Sequence, residues 1–260
     1  MKKVMTVFAP AAALALATTF AMGDGRSGGP DKPKNASCQG LPSASALKGF
    51  LNAAPGTGGD AGGLFHGTRM WAAVVNRDGE ICAYTTGGSP EAAADPRKVW
   101  PVSQAIAKAK AYTANGLNLD DFVLSTARLY TLVQPTHSLF GLNHSNPFDP
   151  QFLLPPGGQG PSKNQIAGGI ISFGGGVGLF AGGKVVGGLG VSGDTACTDH
   201  EIAKRVRTLA GLDPPGGPLV DDIQYSAVDG PSVFSHPACL NTWRNGVKIP
   251  DDEADHPPTY

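Results

Sequence analysis

Three short stretches of this chain carry spacings that catalytic and binding sites use. Gly188, Gly190 and Gly193 in KVVGGLGVSGD have the G-x-G-x-x-G spacing of a dinucleotide-binding turn. Such a turn opens a parallel βαβ unit and needs an acidic residue about 20 positions on. Asp213 stands at that distance, but it follows a helical stretch instead of closing a second strand. Gly188 and Gly190 also fall inside a strand-like run, so the nucleotide reading is set aside. The run from Gly178 to Lys184 approaches a phosphate loop, yet Val185 stands where that loop needs a hydroxyl for magnesium. Ser192 in GVSGD approaches a nucleophile elbow, but Gly193 arrives one position early and the neighbouring strands read as antiparallel. Glycine within a strand more often marks the close approach of something bulky: another backbone, a second subunit or a flat ligand.

The elements around these residues follow from pattern. Ser43 or Ser45 caps a short helix through ALKGFLNAA. MWAAVVNRDGEICAYTT reads as two strands about Asp78-Gly79, a strong hairpin signal. SQAIAKAKAYTA is built from good helix formers, with Lys108 and Lys110 reading as a solvated face. Asn118, with Asp120 and Asp121 behind it, reads as the cap of a second helix, LDDFVLSTARLYTLV. Residues 134–165 form an irregular insertion of a length that is often functional. IAGGIISF, VGLFA and KVVGGLGVSG then read as strands, and Thr198 with Glu201 as a capping box opening DHEIAKRVRTLAGL. Short connections favour antiparallel pairing. The expected fold is α+β: a five-stranded antiparallel sheet with packed helices, in a profilin-like or PAS-like layout.

The 260 residues carry a formal net charge of −1 and no basic stripe, which argues against a nucleic-acid partner. Glycine and proline number 37 and 22, and they concentrate in 24–34, 54–63, 155–162 and 213–218, so one core with irregular additions is expected. Lys2, Lys3, the apolar run from Val4 to Ala21 and the small residues Ala21 and Gly23 make residues 1–23 a secretory signal peptide. No second apolar run reaches spanning length, so a periplasmic or secreted bacterial protein, free of the membrane after cleavage, is expected. Residues 24–42 are then an irregular leader, 43–212 the folded domain and 213–260 an extended tail. Cys38, Cys82, Cys197 and Cys239 all lie in the exported part, where an even count favours two disulfides. Four cysteines allow three pairings; Cys38–Cys82 with Cys197–Cys239 is expected, each bond tying an irregular terminal segment to the core. No C-x-x-C pair points to a zinc knuckle.

AAVVNRDGEICAYTT, then SQAIAKAKAYTA, then AGGKVVGGLGVSG followed by Asp199 and EIA, resemble in that order the GlcG/HbpS family of haem-binding proteins. The resemblance spans roughly residues 43–212. It implies an antiparallel sheet with helices, a symmetric homo-oligomer, and haem as the ligand in storage, sensing or handling. Lys110 and Thr113 occupy the family's lysine–alanine–x–threonine–alanine helix, while Gly182, Gly183, Gly187 and Gly190 fall on its glycine-rich strands. On this resemblance Lys110 would meet a propionate or an acidic substrate, with Thr113 beside the cofactor. The expected cleft is lined by SQAIAKAKAYTA, the glycine strands and the insertion. Haem iron takes an axial donor, most often histidine. His66 beside the first strand, and His137 and His144 in the insertion near Phe140, Phe148 and Phe152, are the alternatives for one such ligand. His200, His236 and His256 rank behind them. The insertion, the tail, the cysteines and a GGK turn in place of GG-x-P depart from the family. Two other readings stay open: an enzyme acting on a small organic metabolite, with or without haem, and an interaction protein assembling through its tail.

Overall fold

The computed structural model describes residues 38–145 and 166–250. The expected signal peptide, the rest of the insertion with Phe148 and Phe152, and residues 251–260 with His256 lie outside the described residues. In chain order come α1 (Ala44–Ala53), β1 (Met70–Asn76), β2 (Ile81–Gly87), α2 (Pro90–Ala94) and α3 (Val102–Leu117). They are followed by β3 (Gly176–Ala181), β4 (Lys184–Ser192), α4 (Ala196–Leu209), α5 (Ser226–Asp229) and a small ribbon of β5 (Trp243–Arg244) and β6 (Val247–Lys248).

The main sheet is antiparallel throughout, in the order β2-β1-β4-β3. Strand residues alternate between faces, and β1 shows what covers each one. Met70, Ala72 and Val74 pack with Leu47 and Leu51 of α1 and with Ile202 and Val206 of α4. Trp71, Ala73 and Val75 pack with Ala107 and Ala111 of α3. All seven residues of β1 are therefore buried. The layers are α3, sheet, then α1 with α4. The Asn76–Glu80 turn closes the expected hairpin, with Asn76 Oδ1 accepting from the amides of Asp78 and Glu80 and with Gly79 at φ 82°.

Among the described residues the sheet has four strands where five were expected. IAGGIISF forms no strand: Ile166 makes an isolated bridge to Glu80, then Gly168 and Gly169 turn the chain at φ 62° and 78°, and the Ile171 amide donates to Thr113 Oγ1 instead of to a strand. The helix expected over 119–133 is also absent. Asn118 bonds both the amide and the carbonyl of Leu124, closing a loop that competes with helix, and only short 3-10 turns at Thr126–Leu129 and Thr131–Val133 follow. The cap of α4 is Thr195, whose side chain accepts from the Thr198 amide, so Thr198 lies one turn inside and Glu201 serves elsewhere.

Both expected disulfides are present, Cys38–Cys82 and Cys197–Cys239. The described part of the tail lies against its own domain: Ile223, Tyr225 and Ile249 form a third core with Cys197 and Ala127. The Gly63 amide donates to Asn241 O, and Thr242 bridges to Gly62. No helix among the described residues is long and apolar enough to cross a membrane.

Candidate functional site

The glycines on β3 and β4 answer the question that their spacing raises. A Cβ added at Gly190 would stand 2.0 Å from Ala107 O, and one at Gly188 would stand 2.2 Å from Ala111 O. Gly176 and Gly178 meet the Lys110 carbonyl and the Asn118 side chain in the same way. The bulky neighbour is the α3 backbone, seated directly on the sheet. The cleft expected between this helix and the glycine strands is therefore filled by protein.

Such close seating makes both α3 lysines internal, against the expectation of a solvated face. Lys108 Nζ lies 3.8 Å from the centre of the Tyr84 ring, and burial pushes its ammonium down to about 8. Lys110 Nζ donates to Asp199 Oδ2 at 2.7 Å and to Val191 O at 3.0 Å, and neither side chain of this ion pair has appreciable exposure. Burial pushes Asp199 up to about 6 against the pull of Lys110. Asp199 Oδ1 also accepts from the amides of Gly193 and Asp194, which fixes the β4–α4 turn. Thr113 donates to Ala109 O and accepts from the Ile171 amide, so it pins segment 166–173 onto α3.

An open cleft of about 400 Å³ lies at the C-terminal end of α3. Arg77, Gly79, Tyr112, Gly116, Ser145 and Ile170 are among its walls, and Thr113 reaches it as well. Tyr112 packs over Gly79, so a side chain there would collide with the ring. The Arg77 guanidinium donates to Asn115 Oδ1 at 3.0 Å and to the Asn115 carbonyl, and Asn115 Nδ2 returns a bond to Arg77 O. A cation is thereby oriented at the rim of a cleft with aromatic and apolar walls. Residues of these types suit an amphipathic, anionic flat ligand.

None of the three candidate histidines lines that cleft. His144 comes nearest in the chain: it ends the 3-10 turn Leu142–His144, is exposed, and precedes the lining residue Ser145. His137 is half-buried in the preceding turns. His66, at φ 52°, is exposed and holds Asp60 Oδ1 at 2.8 Å on another part of the surface. Its neighbour Phe65 lines a second cleft of about 270 Å³ with Arg69, Arg97 and Trp100. Arg77 and Tyr112 escaped the sequence reading; the polar N-R-D-G turn was a signal for the hairpin and not for a ligand.

The tail completes a third polar cluster. Arg207 takes Asp221 in a two-pronged pair at 2.7 and 2.9 Å, and Lys204 Nζ holds Asp222 Oδ1 at 2.5 Å. Burial alone would raise the Asp222 carboxyl, but His200 and Lys204 beside it outweigh that and hold it well below the usual carboxylate range. A folded-state value below the unfolded one adds stability above about pH 4, and this is lost as pH falls further. Asp222→Asn is expected to cost about 2 kcal/mol at pH 7 and to flatten the loss of stability below pH 4. Urea unfolding of both proteins at pH 7, 4 and 3 measures this; parallel curves would refute it.

A family model described as "Haem degrading protein HbpS-like" matches residues 66–207, more than half of the chain. No curated protein sequence matches. Among solved structures, the Klebsiella pneumoniae protein ORFY is similar at 23% identity and TM-score 0.43, over 64% of this chain and 88% of that one. A haem complex of PduOC is similar at 21% identity and TM-score 0.41, over 64% and 93%. A double mutant of Streptomyces reticuli HbpS is similar at 19% identity and TM-score 0.40, over 77% and 98%.

Proposed function

The chain belongs to the HbpS-like family of haem-degrading proteins, and on that premise we propose that it binds haem in the cleft at the C-terminal end of α3. One observation carries this reading: every wall of that cleft falls within the span 66–207 that the family model matches. Its volume of about 400 Å³ lies within the usual range for small-molecule and cofactor sites. Tyr112 and Ile170 offer apolar wall to a porphyrin face, and Arg77, preset by Asn115, offers its guanidinium to a propionate. His144, next in the chain to the lining residue Ser145, would be the histidine to hold the iron in preference to His66 and His137. Lys110, sealed against Asp199, orders the helix instead of touching the ligand. Bound haem supplies the redox-active iron; the chain's part is to orient it and to limit its exposure to water. Haem handling outside the cytoplasm, by an exported homo-oligomer, completes the reading, and the two disulfides accord with an oxidising compartment.

Titration of residues 24–260 with haemin, followed at the Soret band, tests the proposal. A saturable shift at one haem per chain is expected. Arg77→Ala should weaken binding about tenfold, the equivalent of about 1.4 kcal/mol. His144→Ala should move the Soret maximum, and His66→Ala should leave it unchanged. A spectrum no different from free haemin overturns the reading.

A further inference from the structure

The Cys197–Cys239 disulfide has a companion that a structural staple does not need. One ring nitrogen of His236 and the two sulfurs all lie within 4.8 Å of one another. His236 is buried, with Nδ1 2.7 Å from Pro237 O and with Nε2 accepting only a 3.3 Å bond from the Gly174 amide. The short Nδ1 contact to a carbonyl makes Nδ1 the protonated nitrogen, which leaves the lone pair on Nε2. Metal-bound histidines are held in this manner, one nitrogen donating to a backbone carbonyl. A second histidine marks the same region. His200, one helical turn beyond Cys197 on α4, is fully buried; neither ring nitrogen has a hydrogen-bond partner, and Asp222 stands 3.6 Å away. In sequence the four residues read Cys197-x-x-His200 and His236-x-x-Cys239.

We propose that Cys197, Cys239 and His236 form a latent site for a thiophilic divalent cation, closed while the two sulfurs are bonded and opened when a dithiol reductant cleaves them. The thiolate of the reductant attacks the Sγ of Cys239, the less buried of the two residues, and the Cys197 thiolate leaves and is protonated. The reductant's second thiol then displaces Cys239 and closes the reductant's own disulfide. Two electrons and two protons thus reach the pair. The entering cation displaces both thiol protons and takes two sulfurs and one imidazole, the soft donor set that zinc prefers. The tail, which carries His236 and Cys239, stays anchored to α4 in either redox state, by the disulfide or by the metal.

Cobalt(II) and zinc(II) are the probes, added to the full chain before and after reduction by a phosphine. The reduced chain is expected to bind one cobalt with intense thiolate-to-metal absorption in the near ultraviolet, and the oxidised chain none. The band should persist in Cys38→Ser/Cys82→Ser, vanish in Cys239→Ser, and need at least tenfold more cobalt in His236→Gln. Zinc should raise the Tm of the reduced wild-type chain and leave the oxidised chain unmoved, a readout that does not depend on any variant folding. Absence of a metal-dependent Tm rise, a band that follows Cys38 and Cys82, or one indifferent to His236→Gln would overturn the proposal.

Discussion

Gly190→Val is expected to yield a chain that does not reach the native state, and Gly190→Ala one that loses at least about 3 kcal/mol, the upper end of ordinary overpacking. The atoms that a new methyl would meet are the Ala107 carbonyl and the Ala111 amide, both in the α3 backbone, and neither can rotate aside. Room can come only by lifting the helix, which would expose Ala107, Ala111, Ala73 and Val75. Gly49→Ala is the contrasting case. Gly49 lies on the exposed side of α1, no heavy atom would stand within 4 Å of its new Cβ, and a gain of about 0.5–1 kcal/mol is expected. Soluble yield, circular dichroism and urea unfolding of the three variants decide the matter. A Gly190→Ala protein within 1 kcal/mol of wild type would mean that α3 is not seated as described.

Lys110→Met is expected to cost about 3–5 kcal/mol, because it strands the Asp199 carboxylate where water does not reach. Asp199→Asn keeps the acceptor oxygen for the amides of Gly193 and Asp194 and loses only the charge, yet it strands Lys110 in turn. Each charge is tolerated for the sake of the other, since burial drives Lys110 down and Asp199 up. The double variant, Lys110→Met with Asp199→Asn, should therefore recover at least about 2 kcal/mol of the summed losses, a coupling typical of groups in direct contact. Urea unfolding of the four proteins closes the cycle. Losses that simply add would show the two side chains acting independently, contrary to their 2.7 Å contact.

Both results turn on residues whose types are easy to see and whose surroundings are not. The hairpin was legible at Asp78-Gly79, and the period of two in MWAAVV accounts for two covered faces. SQAIAKAKAYTA was legible as a helix, because its residues favour one whatever surrounds them. Its lysines were not, since Asp199 lies 89 positions away and nothing in a local window brings it to Lys110. IAGGIISF misled because β-branched residues outweighed Gly168-Gly169, which the chain uses to turn away from the sheet edge. At 119–133 the acids in LDD suggested a helix start, while one Asn118 side chain closed the competing loop. Thr113 came from the family pattern and does border the cleft, though its hydroxyl is spent on the backbone. Arg77, Tyr112 and Ile170 sit in a turn, a helix and an irregular strap, so no one-dimensional spacing could have joined them.

The paired acids Asp221 and Asp222 lie beyond the last residue that the family model matches. They neutralise Arg207 and Lys204 on the far side of α4, and Tyr225 and Ile223 cover Cys197 beside them. A polypeptide interrupted after Leu212 leaves the Arg207 guanidinium without its acidic partners, Lys204 with Glu201 alone, and an unpaired thiol at Cys197. Such a fragment loses the two-pronged Arg207–Asp221 pair and the cover over Cys197, and α4 is left with part of its surface unpacked. Residues 213–250 thus act as a keystone: they lock α4, the last helix of the matched family span, by charge, by packing and by a covalent bond at once.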